Sequence, residues 1–235
     1  GLTFWDKGQC AKSIESMRSD GLYTPPSLQG TVTLPNGYGG VNWGNAAYDP
    51  ARNWMIVNAT QIANVSRLFP RDEVEMDIRD HSQFDVGGPL EGTPCEYKSS
   101  PILSPFGAPC TPPPWGTVTA IDMNTGEFVW QVPFGRVPRL GLHTPERWGS
   151  PLIGGPIATA GGLIFNGASM DHYFRAMDID SGEILWKSEK LRAPANATPM
   201  SYVFRGKQYV VVAAGGNAVA GTELSDSLVA FALPD

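Results

Sequence analysis

Charge is scarce in this 235-residue sequence: Asp, Glu, Lys and Arg make up 17% of it, for a net charge of −6. No basic run offsets that balance, which argues against nucleic acid or an anionic membrane surface as a partner. No apolar run approaches the roughly 18 residues that a membrane-spanning helix needs, and no signal-peptide pattern is present. Cysteine is equally sparse. Cys10, Cys95 and Cys110 contain no CxxC pair, so thiolate metal binding is not expected; one disulfide plus one free thiol suits an oxidising compartment, with all three pairings open. His81, His143 and His172 are scattered and form no HExxH, so each reads as a surface or loop histidine. No nucleophile elbow, P-loop or dinucleotide fingerprint follows a strand. The sequence opens on Gly1 rather than Met, so the expectation is a processed chain or a piece of a longer one.

Turn residues are abundant. With 27 Gly and 21 Pro, the composition suits an all-β chain rather than a helical one. One phrase occurs twice, AIDMNTGEFVW at 120–130 and AMDIDSGEILW at 176–186, in the frame A-x-D-x-[ND]-[ST]-G-E-[FI]-x-W. The spacing of 56 residues is that of a small supersecondary repeat. Each copy reads as two strands joined by a tight turn. Asp122 or Asp178 accepts backbone N–H groups in an Asx turn, and Gly126 or Gly182 supplies the positive φ. Phe128 and Trp130, like Ile184 and Trp186, fall two apart and are expected on one strand face. A small Ala opposite a large indole suggests that each Trp interlocks stacked sheets.

Taken in order, residues 1–41 read as a covering segment with a short helix over 8–21 closed by Gly21. Hairpins follow at 42–60, turning at Asp49–Asn53, at 154–169, turning at Ala160–Gly162, and at 197–216, turning at Arg205–Lys207. The first two lead into the repeated phrase; the third leads into SLVAFALPD, where Ala230 matches the motif Ala but no Trp follows. Three units of short antiparallel strands result, at 42–131, 152–187 and 197–235, the last one incomplete. This is the pattern of propeller blades. The first carries an insertion over 60–114, charged and then Pro-rich, which reads as a long functional or covering loop. Three blades cannot close a ring, so the chain is expected to be the C-terminal part of a larger propeller, completed by a missing segment or a partner chain.

Ligands of propellers bind where the innermost strands and their connections ring the axis. The polar residues expected there are Asn45, Asn58, Asn196, Thr198 and Asn217, with Ile153 leading into the second blade.

The stretches LYTPPSLQGTVTLPNG, NWGNAAYDPARNWMIVN, SPFGAPCTPPPWGTVTAID, GGPIATAGGLIF, ATPMSYVFRGKQYVVVAAGG and DSLVAFALPD run over nearly the whole chain. Together they resemble the C-terminal portion of the membrane-associated quinoprotein dehydrogenases of the glucose, quinate and shikimate type. That resemblance implies an eight-bladed propeller holding pyrroloquinoline quinone (PQQ) with a divalent metal such as Ca²⁺. It implies a periplasmic enzyme, held at the inner membrane through an N-terminal segment absent here. Such an enzyme passes hydride from an alcohol carbon to the quinone and electrons on to ubiquinone. By the same resemblance Asn58 matches a cofactor-contacting Asn, and Asn217 stands where the glucose enzymes have a His, which favours quinate, shikimate or another polyol. Ile153 takes the place of a Trp at the cofactor in the alcohol dehydrogenases, and Asp171 follows an inner hairpin and is able to approach the site. The catalytic carboxylate, the quinone-stacking aromatic and most metal ligands are expected in earlier blades, outside this sequence. The family pattern also favours a Cys10–Cys110 disulfide. The rival reading is a non-catalytic propeller that serves as a binding or scaffold module.

Overall fold

The computed structural model describes residues 4–37, 39–44, 46–72, 85–139 and 142–233. Asn45 and His81 lie outside the described residues, as does the side chain of His143. The chain divides into two compact units, one of residues 1–40, 61–112 and 219–221, the other of 41–60, 113–218 and 222–235.

The larger unit contains three antiparallel sheets built in one way. Sheet I runs Ala46–Asp49, Trp54–Thr60, Gly116–Asp122, Phe128–Pro133; sheet II runs Ile157–Ala158, Leu163–Asn166, Arg175–Asp178, Ile184–Lys187. In each, spatial order equals chain order, so every connection is to the neighbouring strand. Sheet III has three strands, Met200–Phe204, Lys207–Ala214 and Ser227–Ala232. Local chemistry explains the turns. Asp178 Oδ1 accepts the N–H groups of Asp180 and Ser181 at 3.0 and 2.8 Å, and Gly182 then adopts φ +74°. Asp122 and Gly126 repeat the arrangement, with Asn124 N–H at 2.7 Å and φ +76°.

Apolar side chains from the facing sheets fill the spaces between them. Ile56, Val118 and Ala120 of sheet I meet Ile164 and Met177 of sheet II, and Ile179 just past its third strand, in one core. Phe174 and Phe165 meet Val210, Val212 and Phe231 in a second. Trp130 pairs across its sheet with Ala120, but Ile121 pairs with Phe128, so Val129 is an extra, bulged residue. The same bulge places Ala176 opposite Trp186 and Met177 opposite Ile184. Strict alternation therefore fails within the phrase, and Phe128 is 63% exposed instead of sharing the docked face of Trp130.

The smaller unit corrects two expectations. Its helix spans Phe4–Glu15 rather than 8–21, with Ser16 Oγ capping back onto Ser13 O, so the chain turns before Gly21 is reached. The segment 60–114, expected as a loop, supplies three strands, Asn64–Pro70, Val86–Pro89 and Cys95–Pro101. They join Thr31–Thr33 in an antiparallel sheet of order 31–33, 64–70, 95–101, 86–89. One face packs Val32 and Val65 against Ile14, Met17, Ala63, Ile102 and the disulfide Cys10–Cys110. The other face carries Thr31, Asn64, Ser66 and Ser99, all buried. The disulfide closes 100 residues of chain, which in the chain-entropy account is worth about 4–5 kcal/mol. Cys95 is the free thiol.

Candidate functional site

The register of the hairpins puts particular residues at one end of all three sheets. Ala46 pairs with Val57, Ile157 with Phe165 and Met200 with Val211, so each first strand begins where its second strand ends. Asn58, Ile153, Asn196, Thr198 and Asn217 all fall at that end.

Here the lead-in segments of the three first strands touch through their backbones. A Cβ on Gly44 would lie 2.3 Å from the carbonyl carbon of Gly154, one on Gly155 would lie 1.5 Å from Gly44 O, and one on Gly154 would lie 2.5 Å from Asn196 O. Glycine is required at these places by the contact of one sheet with the next. Side-chain hydrogen bonds lace the same junction. Thr60 Oγ1 accepts the Leu152 N–H at 2.9 Å, and Thr198 Oγ1 donates to Gly44 O at 3.2 Å.

Asn58 is buried at the seam between sheets I and II. Its Nδ2 donates to Gly154 O at 2.8 Å and to Asn166 Oδ1 at 3.2 Å, and its Oδ1 accepts from Asn166 Nδ2 at 2.7 Å. Asn196, also buried, donates from Nδ2 to Ala168 O and Ser169 O at 3.1 and 3.2 Å. Its Oδ1 is buried without a hydrogen-bond partner. Ile153 is 8% exposed and its N–H donates to the same Ala168 O. Asn58, Ile153 and Asn196 are thus gathered around Gly154 and Ala168. Both N–H groups of each amide are spent within the chain, so what the cluster has left is acceptor capacity.

Asn217 stands apart in a turn, where its N–H donates to Thr222 Oγ1 at 2.7 Å and its carbonyl accepts the Thr222 N–H at 3.2 Å. Its predecessor Gly216, at φ +69°, donates to Pro194 O, which brings the turn to the segment that carries Asn196. Asp171 follows the second hairpin as expected, but its carboxylate is committed to Arg175. The guanidinium donates to Oδ1 at 2.9 Å and Oδ2 at 2.5 Å, and Ser169 Oγ donates to Oδ1 at 2.6 Å. Arg175 also lies over the Phe134 ring, 5.1 Å from its centroid. Both charges are buried, and each is the partner that makes the other's burial tolerable.

His172, in the same connection, is a loop residue but not a surface one. It is 5% exposed at φ +55°, with Nδ1 3.0 Å from Leu191 O and Nε2 2.9 Å from Glu223 Oε2. Both ring nitrogens thus face oxygen acceptors, one a backbone carbonyl and one a carboxylate. The Glu223 carboxyl is held below the usual carboxylate range by its own backbone N–H and then by His172. No group of three or more His, Cys, Asp or Glu able to hold a metal occurs among the described residues.

Asn166 was not singled out from the sequence, although MIVN and LIFN place an Asn at the end of two matching hairpins. Those amides are not equivalent. Asn58 lies two residues past Ile56, which faces Ala120, whereas Asn166 lies one residue past Phe165, which faces Ala176. The offset in strand register turns the two amides toward each other across the seam.

The chain is similar to known proteins. Residues 1–210 match the family model described as "PQQ: Glucose/ethanol/alcohol dehydrogenase, beta-propeller domain". The quinoprotein glucose dehydrogenase of Escherichia coli K12 is 39% identical over 246 residues, covering 100% of this chain and 31% of the relative. The quinate/shikimate dehydrogenase (quinone) of Acinetobacter baylyi is 38% identical over 247 residues, covering 99% and 30%. The chain thus spans about a third of the length of these relatives. Among solved structures, a europium-containing methanol dehydrogenase superposes with a TM-score of 0.53 at 26% identity, over 77% of this chain and 26% of that one. On the family match, the chain identity and the three propeller-type sheets, this chain belongs to the PQQ-dependent dehydrogenase β-propeller family.

Proposed function

We propose that this chain is the C-terminal part of a periplasmic PQQ-dependent dehydrogenase that oxidises a polyol or cyclic hydroxy acid, with quinate or shikimate preferred over glucose. The observation that carries the reading is the gathering of Asn58, Ile153 and Asn196 where the first strands begin and the second strands end, within a chain of this family. The buried, unpartnered Oδ1 of Asn196 fits the expected cofactor, because a ring N–H, a hard cation beside the quinone, or a substrate hydroxyl would each satisfy it. When bound, PQQ supplies the hydride acceptor, and a divalent metal such as Ca²⁺ polarises its carbonyl as a Lewis acid.

This chain's part is to form one wall of the site. Asn58 and Asn196 offer acceptors, Ile153 offers an apolar surface, and the interlocked glycines hold the three strand ends in fixed register. The base that takes the hydroxyl proton and the metal ligands belong to preceding blades, which also complete the ring around sheet III. Electrons leave to ubiquinone. A buried disulfide in the smaller unit suits an oxidising compartment such as the periplasm, and anchoring to the inner membrane falls to segments beyond this chain.

Identities of 39% and 38% do not separate glucose from quinate relatives, so the preference rests on Asn217. An amide there lacks the titratable ring found at this place in the glucose enzymes. Reconstitution of the complete protein with PQQ and Ca²⁺, followed by dye reduction, tests the whole reading. Turnover with quinate or shikimate above that with glucose is the expected result, and Asn217→His is expected to shift the ratio toward glucose. No reduction with any polyol would overturn the enzyme reading in favour of a scaffold. The 235-residue chain alone is expected to bind no PQQ, which absorbance titration checks directly.

A further inference from the structure

We propose that Asn166 is a positioning residue for Asn58, deciding which end of the Asn58 amide is presented to a ligand. Two backbone groups fix the pair. Gly154 O accepts from Asn58 Nδ2 at 2.8 Å, which sets the nitrogen side of that amide. Ala168 N–H donates to Asn166 Oδ1 at 3.2 Å, which sets the oxygen side of the other. Between these anchors the two amides bond reciprocally, Asn166 Nδ2 to Asn58 Oδ1 at 2.7 Å and Asn58 Nδ2 to Asn166 Oδ1 at 3.2 Å. A flip of either amide would set donor against donor or acceptor against acceptor at its backbone anchor, so the pair is locked in one polarity.

The consequence for chemistry is specific. Asn58 has both N–H groups occupied and one lone pair of Oδ1 left. It therefore meets a ligand as an acceptor, suited to an N–H, an O–H or a hard cation, and not as a donor to a carboxylate or quinone oxygen. Without Asn166 the weaker of the two Nδ2 bonds is lost, one N–H is released and Oδ1 loses its fixed direction. Asn166 is itself fully buried in the seam and acts through Asn58. The inference rests on the reading of Asn58 as part of the cofactor site.

A double-mutant cycle in the full-length apoprotein tests it, with PQQ titrated in the presence of Ca²⁺ and bound quinone followed by absorbance. Thermal midpoints are recorded alongside. Asn166→Ala is expected to weaken PQQ binding about tenfold, the scale of losing an outer-shell partner. In the Asn58→Ala background the same change is expected to weaken it less than about twofold, since nothing remains to be positioned. Asn166→Leu, of similar volume, repeats the measurement should the alanine variant lose the fold. Equal losses in both backgrounds mean that Asn166 serves only the seam, and wild-type affinity in Asn166→Ala means that Asn58 needs no positioning; either overturns the proposal. If Asn58→Ala itself binds PQQ as the wild type does, the reading of Asn58 falls and takes this role with it. If Asn58→Ala weakens binding while Asn166→Ala does not, only the positioning role falls.

Discussion

Trp130 and Trp186 occupy the same place in the repeated phrase and meet different fates. Trp130 lies against the turn of the next sheet, with Nε1–H donating to Ile179 O at 2.9 Å and its ring where a Cβ on Gly182 would come within 2.8 Å. Trp186 is 40% exposed and meets sheet III edge-on, its ring 5.2 Å from that of Phe231. Its N–H finds no acceptor among the described residues. The phrase therefore supplies only half of the interlock. The other half is the Asx turn and glycine of the following sheet, which sheet II has and sheet III lacks among the described residues.

The largest test of that difference is to remove each indole. Trp130→Ala is expected to cost about 3 kcal/mol, toward the lower end for a packed Trp, because it deletes a core contact and strands the Ile179 carbonyl. Trp186→Ala is expected to cost about 1 kcal/mol. Urea unfolding of the 235-residue chain checks both, and equal losses would show that the docking turn adds nothing. The paired turns sharpen the point. Gly126→Ala meets no atom within 4 Å, so only its φ of +76° opposes the change, at about 1 kcal/mol. Gly182→Ala carries the same backbone cost at φ +74° and also drives a methyl into the Trp130 ring, adding about 1–3 kcal/mol. The difference between the two glycines measures the interlock without touching the indole. In a Trp130→Ala background that difference is expected to vanish.

What the sequence displays is what is encoded locally. The Asx turns, the positive-φ glycines, the three hairpins and the short third sheet all depend on residues a few positions apart. What it conceals is set by pairing over distance. Thr33 pairs with Asn64 and Ser66 with Ser99, yet strands such as CEYKSSP show no apolar alternation, because one face of that sheet buries hydroxyls instead of methyls. A polar strand of this kind reads as loop. The site divides differently. Asn58, Ile153 and Asn196 are legible because they end hairpins or precede them, whereas Asp171 and Arg175, only four residues apart, are bound together by side-chain geometry that their spacing alone does not show. Asn166 was hidden by a one-residue offset in register that makes two similar phrases face each other.

The smallest effect expected concerns the charges around the same docking turn. Arg52 reaches from sheet I to the turn of sheet II, donating to Asp180 at 2.6 and 2.8 Å while also bonding Asp49 at 2.9 Å. Hydrogen bonds from Arg52 are the first cause that lowers both carboxyl pKa values. A carboxylate held below its unfolded value stabilises the fold above that unfolded value, near 4, and the contribution is lost as pH falls through the folded one. Arg52→Gln is therefore expected to lower stability at neutral pH and to raise the pH at which acid unfolding begins. Most of the effect should come through Asp49, since Asp180 is mostly exposed and screened by solvent. Wild type and variant should converge in stability below about pH 3. A difference that persists unchanged into acid would mean that Arg52 contributes by packing on Trp54, whose ring centroid lies 5.8 Å from the guanidinium, and not through its charge.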